Sequence, residues 1–273
     1  MMNPISKTAY YTLGVRAWDA ALPSPICSDS FAKIFMNDDA QKVWKEFKDQ
    51  SRPNMSNAAR HAIIDNQLRS VFSEAPDSRV VIIGAGFDTR AYRIKGGKWI
   101  ELDEPSIIEY KEAKLPTLKC PNALTRIPIE FSKESLIEKL QPYASQEVTH
   151  IIIEGVLMYL THGERQKLVS GLQELFPRQI VYCDLMRKSF FERYSKELYE
   201  KIRSLGASFK DLVEQPEDIF LGNSYTMLGC TSVPLYAVQH GKDGLASFII
   251  RYFLKTLREG YRICRFEYIK SND

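Results

Sequence analysis

Several features that would settle this chain's class at once are missing from it. No apolar run approaches the roughly 20 residues that cross a bilayer, and the opening Met1–Lys7 has no apolar stretch of the kind a signal peptide carries. No Cys-x-x-Cys occurs, and the five cysteines are odd in number. They are therefore expected to be reduced small hydrophobes of a cytoplasmic protein rather than a disulfide framework. The four histidines, His61, His150, His162 and His240, show neither His-x-x-x-His nor His-Glu-x-x-His spacing, so no metal site is expected. A net charge of only +3, with basic and acidic residues interspersed, argues against a nucleic-acid partner or a polybasic membrane anchor. No membrane partner is expected on these grounds.

What is present is enough for one large core. The chain has 273 residues, 44% of them hydrophobic, which suits one α/β domain with an appendage. Residues 1–75 read as a mostly helical cover, interrupted at Pro23, Pro25 and Pro53. Within it Ala58–Phe72 has apolar residues at helical spacing. From Arg79 onward, strands and helices alternate. The expected strands are Val80–Ile83, Lys98–Leu102, Thr125–Pro128, Thr149–Ile153 and Gln179–Cys183, with helices over Pro105–Leu115, Lys133–Leu140 and Gly163–Leu175. Such alternation predicts βαβ units and a largely parallel sheet. Beyond it, Phe190–Leu205 reads as a helix, 206–226 as irregular, Cys230–Ala237 as a sixth strand, Leu245–Arg258 as a helix and Tyr261–Ile269 as a seventh strand. Residues 76–273 would then form the core, with an insert at about 186–226.

Three stretches carry chemistry. Val80–Ile83, four consecutive β-branched residues, run into Gly84-Ala85-Gly86-Phe87-Asp88-Thr89. A strand ending in a glycine turn is how α/β folds approach an adenosine-type cofactor, but a dinucleotide fingerprint wants a third glycine where Thr89 stands. No Lys-Ser/Thr pair follows, so the turn is no P-loop either. It suits a cofactor with adenosine and no pyrophosphate, such as S-adenosylmethionine. Asp103, about 19 positions after Gly84 at the end of the second strand, can accept from a ribose diol. It could equally cap the helix starting at Pro105, and Glu101 competes for the ribose. Glu154 follows Ile151-Ile152-Ile153 directly. A carboxylate there should emerge at the C-terminal edge of the sheet, opposite a cationic ligand group or in a salt bridge with an arginine.

Gly84-Ala-Gly-Phe-Asp-Thr-Arg90, Glu101-Leu-Asp-Glu-Pro105 and Glu154-Gly-Val-Leu-Met-Tyr-Leu160, in this order, resemble the leucine carboxyl methyltransferase family, in particular its bacterial polyketide O-methyltransferase branch. The resemblance implies a Rossmann-like class I methyltransferase fold. It has a seven-stranded, mostly parallel sheet, an N-terminal helical cover and a helical insert after the fifth strand. It implies S-adenosylmethionine as cofactor, held by Gly84, Ala85, Gly86 and Asp88, with Asp103 on the ribose and Glu154 at the amino end. Arg60 stands where the family keeps an arginine that serves cofactor and acceptor. Arg60 and Tyr159 are the candidate catalytic residues. Where the family places Asp-Leu beside the adenine, this chain has Glu130-Phe131.

These readings predict an O-methyltransferase acting on a carboxylate of a small molecule or a peptide. An ionised carboxylate needs no base; a phenol acceptor would need one, for which His61 and His162 are available. The alternatives are a non-catalytic cofactor-binding sensor or scaffold and, less favoured by Thr89, a nicotinamide-linked oxidoreductase.

Overall fold

Seven strands build one sheet in a computed structural model that describes residues 4–240 and 244–270. They are β1 (Arg79–Ile83), β2 (Lys98–Asp103), β3 (Ala123–Pro128), β4 (Thr149–Ile153), β5 (Arg178–Met186), β6 (Thr226–Ser232) and β7 (Tyr261–Ile269), in the spatial order β3-β2-β1-β4-β5-β7-β6. Every pair from β3 to β5 is parallel, and β7 runs antiparallel to both its neighbours. The β-branched runs Val80–Ile83 and Ile151–Ile153 are buried on both sheet faces, as central parallel strands require.

The helices are α1 (Pro4–Asp19), α2 (Asp38–Phe47), α3 (Ser51–Glu74), the single turn α4 (Arg90–Arg93), α5 (Pro105–Lys114), α6 (Leu136–Leu140) and α7 (His162–Leu175). Then come α8 (Lys188–Phe190) and α9 (Lys196–Ser204), joined by a π turn at Phe191–Ser195, then α10 (Asp218–Leu221), α11 (Val233–His240), α12 (Gly244–Phe253) and α13 (Lys255–Gly260). Alternate strand residues feed the two faces. Val80, Ile82 and Trp99 pack with Ile63, Ile64, Leu68 and Phe72 of α3 and with Leu13 of α1. Val81, Ile83, Ile151 and Ile153 pack with Leu168, Val169 and Leu172 of α7. The N-terminal helices therefore share a core with one face of the sheet.

The structure corrects the sequence expectations mainly after β5. The sixth strand is Thr226–Ser232, and 233–240 is helical rather than extended. Pro234 suits the first turn of a helix, where no N–H is required, and the ladder slips at Gly229. The helix expected over Leu245–Arg258 breaks at Leu254 into α12 and α13, and Lys133–Leu140 shortens to Leu136–Leu140 behind a Ser135 cap. The cysteines are not all reduced. Cys230 and Cys264 face each other across β6 and β7, with Cα atoms 4.1 Å apart, and form a disulfide. A spacing of 34 residues hides that pair from the sequence; Cys27, Cys120 and Cys183 are free.

Candidate active site

In this sheet the strand order reverses between β1 and β4, where α/β folds place ligands beyond the C-terminal strand ends. A cavity of about 440 Å³ lies there. Its floor is the glycine turn leaving β1. Gly84 and Gly86 both take left-handed conformations (φ +67° and +49°), and a Cβ on Gly84 would sit 2.5 Å from Val156 Cγ2. Gly84→Ala is expected to displace the turn from Val156, at a backbone cost of about 1–2 kcal/mol plus that clash. A melting temperature and ligand affinity equal to wild type would contradict this.

Asp103 ties the turn to β2. Its Oδ2 accepts from Gly86 N–H at 2.6 Å and its Oδ1 from Glu104 N–H at 2.7 Å. Burial nevertheless pushes its carboxyl up to about 6, against the lowering effect of those two N–H donors. Each oxygen keeps a lone pair for a ligand hydroxyl. Asp103 thus braces the turn and lines the cavity with acceptor capacity to spare, while Glu104 is the N-cap residue of α5. The competing Glu101 is fully buried and taken by Lys111 at 2.7 Å and Arg126 at 3.1 Å; it does not line the cavity.

Of the residues singled out from the sequence, the cavity brings together Arg60, Gly84, Ala85, Gly86, Asp88, Asp103, Phe131, Glu154 and Tyr159. It does not include Glu130. Ile129 is buried, so the next residue turns outward; the Glu130 carboxylate pairs with Lys133 at 2.5 Å, and Glu134 reaches the cavity in its stead. His162 is exposed at the start of α7 and is also absent from the lining.

Beneath the cavity lies a buried network of charge. Arg60 donates from Nε to Glu154 Oε1 at 3.0 Å and from Nη1 to Asp184 Oδ2 and the Tyr261 hydroxyl, both at 3.1 Å. Asp184 also accepts from Gly155 N–H at 2.7 Å, which fixes the turn after β4. Arg90 is the centre of the network. It donates to Asp65 at 2.6 Å, to Glu154 at 2.7 Å, to the His61 carbonyl at 3.1 Å and to Asp88. Arg93 pairs with Asp65 at 2.6 Å. Burial would push Glu154 and Asp88 up; for Glu154 the Arg90 and Arg60 charges hold it well below the usual carboxylate range, and for Asp88 Arg90 is the main opposing charge.

Arg90, Asp65, Arg93, Asp184 and Tyr261 are not among the residues expected from the sequence to form the site. A signal existed for Asp184: it follows the buried run Val181–Cys183 as Glu154 follows Ile151–Ile153. Arg90 closes the glycine motif and could have been suspected for that. Nothing marks Tyr261.

The network also decides what His61 can do. Burial and the Arg90 charge lower its pKa. Nδ1 faces Arg90 Nη2 at 2.7 Å and Glu154 Oε2 at 3.3 Å, and Nε2 faces Arg93 Nη2 at 2.8 Å. Each ring nitrogen therefore faces an arginine donor, and in either neutral tautomer the single lone pair accepts from Arg90 or Arg93. No lone pair is left for an incoming proton. Tyr159 hydrogen-bonds Thr8, and burial pushes its phenol up to about 12. Among the described residues, donor atoms of His61, Asp88 and Glu154 come within 4.8 Å of one another. The Arg90 guanidinium, bonded to both carboxylates, supplies the cation that such a cluster requires.

Residues 9–173, more than half of the chain, match the family model for leucine carboxyl methyltransferase. The chain belongs to the leucine carboxyl methyltransferase family. It is 25% identical over 190 residues to a candidate S-adenosyl-L-methionine-dependent methyltransferase of Mycobacterium leprae, covering 64% of this chain and 62% of that protein. A relative from Mycolicibacterium paratuberculosis, of the same description, is 29% identical over 198 residues, covering 63% of this chain and 60% of its own length. The match therefore spans less than two thirds of these relatives. Among solved structures, the family member shares its fold with a candidate methyltransferase from Thermobifida fusca (TM-score 0.59, 14% identity, 94% of each chain). It also resembles a magnesium protoporphyrin IX methyltransferase from Synechocystis with bound S-adenosylhomocysteine (TM-score 0.50, 13% identity, 89% of this chain and 99% of that one).

Proposed function

We propose that this chain is an S-adenosylmethionine-dependent O-methyltransferase that forms a methyl ester on a carboxylate of a small molecule or peptide. The observation that carries the reading is the charge of the cavity. Asp88, Asp103, Glu104, Glu134, Glu154 and Glu164 line it against Arg16, Arg60 and Lys167, and with Arg90, which pairs with Asp88 and Glu154 from behind, six acids still face four cations. That balance favours a cationic adenosine cofactor and opposes a pyrophosphate. The helix after the glycine turn, α4, is a single turn, too short to offer the N-terminal dipole on which dinucleotides rest.

The residues present fit S-adenosylmethionine. The left-handed glycines leave room for backbone approach, Asp103 has free acceptor capacity for ribose hydroxyls, and Glu154 presents negative charge at the end of β4. The cofactor would supply a methyl group on a positive sulfur, the C–S electron pair staying on sulfur while an acceptor oxygen provides the new C–O pair. The chain's own part is to bind, orient and exclude water, with α1 and α3 closing the cavity through Thr8, Thr12, Asn57 and Arg60. Positioning of this kind is worth up to roughly 7–11 kcal/mol in favourable intramolecular analogues.

With His61 engaged on both nitrogens and His162 outside the cavity, neither candidate base can take a proton from an acceptor, and Tyr159 is held protonated. This supports an acceptor that arrives ionised, as a carboxylate with a pKa near about 4 does. The expected kcat is flat from about pH 7 to about pH 9; a rate that climbs tenfold per pH unit would point to a phenol instead. The test of the ester is to supply S-adenosylmethionine labelled in the methyl group to a cell extract and treat the labelled product with alkali. Label recovered as volatile methanol is the expected result, and alkali-stable label would contradict it.

One observation favours the second reading, a binding protein without turnover. Glu154 and Asp184 already compensate the Arg60 charge, which leaves little of it for an acceptor anion. Cofactor binding with no label transferred to any acceptor would decide for that reading.

A further inference from the structure

Away from the cavity, α12 turns four large apolar side chains to solvent. Phe248, Ile249, Tyr252 and Phe253 are 54%, 39%, 63% and 72% exposed, while Ile250 on the opposite side is 6% exposed and packs inward. Positions 248, 249, 252 and 253 share one arc of the helix. Their rings already touch: Phe248 lies 4.9 Å from Tyr252 and 6.1 Å from Phe253, centroid to centroid. Apolar residues scattered singly over a surface mean little, but a contiguous aromatic patch marks an interaction site.

The surroundings of the patch say what it meets. Arg251 and Lys255 are exposed beside it. Arg258 reaches back to the Arg251 carbonyl and to Glu259. Glu259 is the one carboxylate between Gly244 and Phe266, and it is paired with Arg258 at 2.6 Å and Lys255 at 4.0 Å. The patch is therefore aromatic at its centre and basic at its rim, and it stands on a convex helix. Aromatic rings settle at the boundary between headgroups and acyl chains, and rim cations reach lipid phosphates.

We propose that α12 docks this protein on an anionic lipid bilayer, with Phe248, Ile249, Tyr252 and Phe253 at the acyl boundary and Arg251 and Lys255 at the headgroups. No helix among the described residues is long and apolar enough to cross a membrane. Docking through one such patch is reversible. The sequence expectation of no membrane partner rested on the lack of a span and of a polybasic run, and four rim-flanked apolar residues trigger neither signal. The patch is near the reaction site in the chain, since α13 continues from α12 and leads into Tyr261, which holds Arg60.

The test is sedimentation of the full chain with vesicles of mixed phosphatidylcholine and phosphatidylglycerol, and with phosphatidylcholine alone. The chain is expected to pellet with the mixed vesicles and to be released by salt. The double variant Phe248→Ser/Phe253→Ser should lose about 100-fold in partitioning, and Arg251→Gln/Lys255→Gln about tenfold, both with melting temperatures unchanged. Wild-type protein that stays in the supernatant with mixed vesicles overturns the proposal. So does pelleting that neither double variant reduces, or a dimer lost in Phe248→Ser/Phe253→Ser that forms without any vesicle binding.

Discussion

Arg90→Met is expected to lower the unfolding free energy by about 3–5 kcal/mol, the cost of leaving buried charge unpaired, and the melting temperature by about 10 °C or more. Methionine keeps much of the volume, so the loss measures charge rather than packing. Arg90 is fully buried and meets Asp65, Asp88 and Glu154 at once. Without it, Asp88 loses its ion-pair partner, Glu154 keeps Arg60 and the His61 ring, and Asp65 keeps Arg93 and the more distant Arg69. The pH dependence has the same origin. Despite burial, Asp65, Asp88 and Glu154 are all held below the usual carboxylate range. Their stabilisation is therefore present above the unfolded-state values of about 4 and disappears as pH falls through the lower folded-state values. Thermal melts from neutral to acid pH should show wild type losing stability toward low pH, with a shallower loss in Arg90→Met. Equal melting temperatures at neutral pH would mean that the network is dispensable.

Asp103→Ala is expected to weaken S-adenosylmethionine binding by at least about 100-fold, from two hydrogen bonds to a charged acceptor at about 1.5–3 kcal/mol each. It also frees Gly86 N–H, so the turn loses its brace. Because burial raises Asp103 to about 6, and ligand hydroxyls donate best to the ionised form, affinity should fall as pH drops through about 6. The effect on the ligand-free fold has the opposite sign. Between about pH 4 and about pH 6 the folded state holds a proton on Asp103 that the unfolded state has released, so this residue alone makes the protein more stable as pH falls there. Calorimetric affinities across that range, for wild type and Asp103→Ala, separate the two contributions. A pH-independent affinity in wild type would remove Asp103 from the ribose.

The parts of this fold that were legible in the sequence are those governed by short-range rules. Val80–Ile83 and Ile151–Ile153 read as buried strands because nothing else tolerates consecutive β-branched residues so well. Gly84 and Gly86 read as a turn, and the structure puts both at positive φ. Arg60 was placed by family resemblance alone, and its setting between Glu154, Asp184 and Tyr261 draws on residues 94, 124 and 201 positions away. No local pattern encodes such distances. The Cys230–Cys264 bond and the shift of β6 to Thr226–Ser232 were missed for the same reason, since both depend on the register of β7. Glu130 lies off the cavity by a single residue of alternation, because Ile129 takes the inward position.

Titration calorimetry of S-adenosylmethionine into the purified wild-type protein tests the central claim most directly. One site per chain with a micromolar dissociation constant is expected, abolished by Asp103→Ala in protein that remains folded. Folded wild-type protein that takes up no S-adenosylmethionine would contradict it.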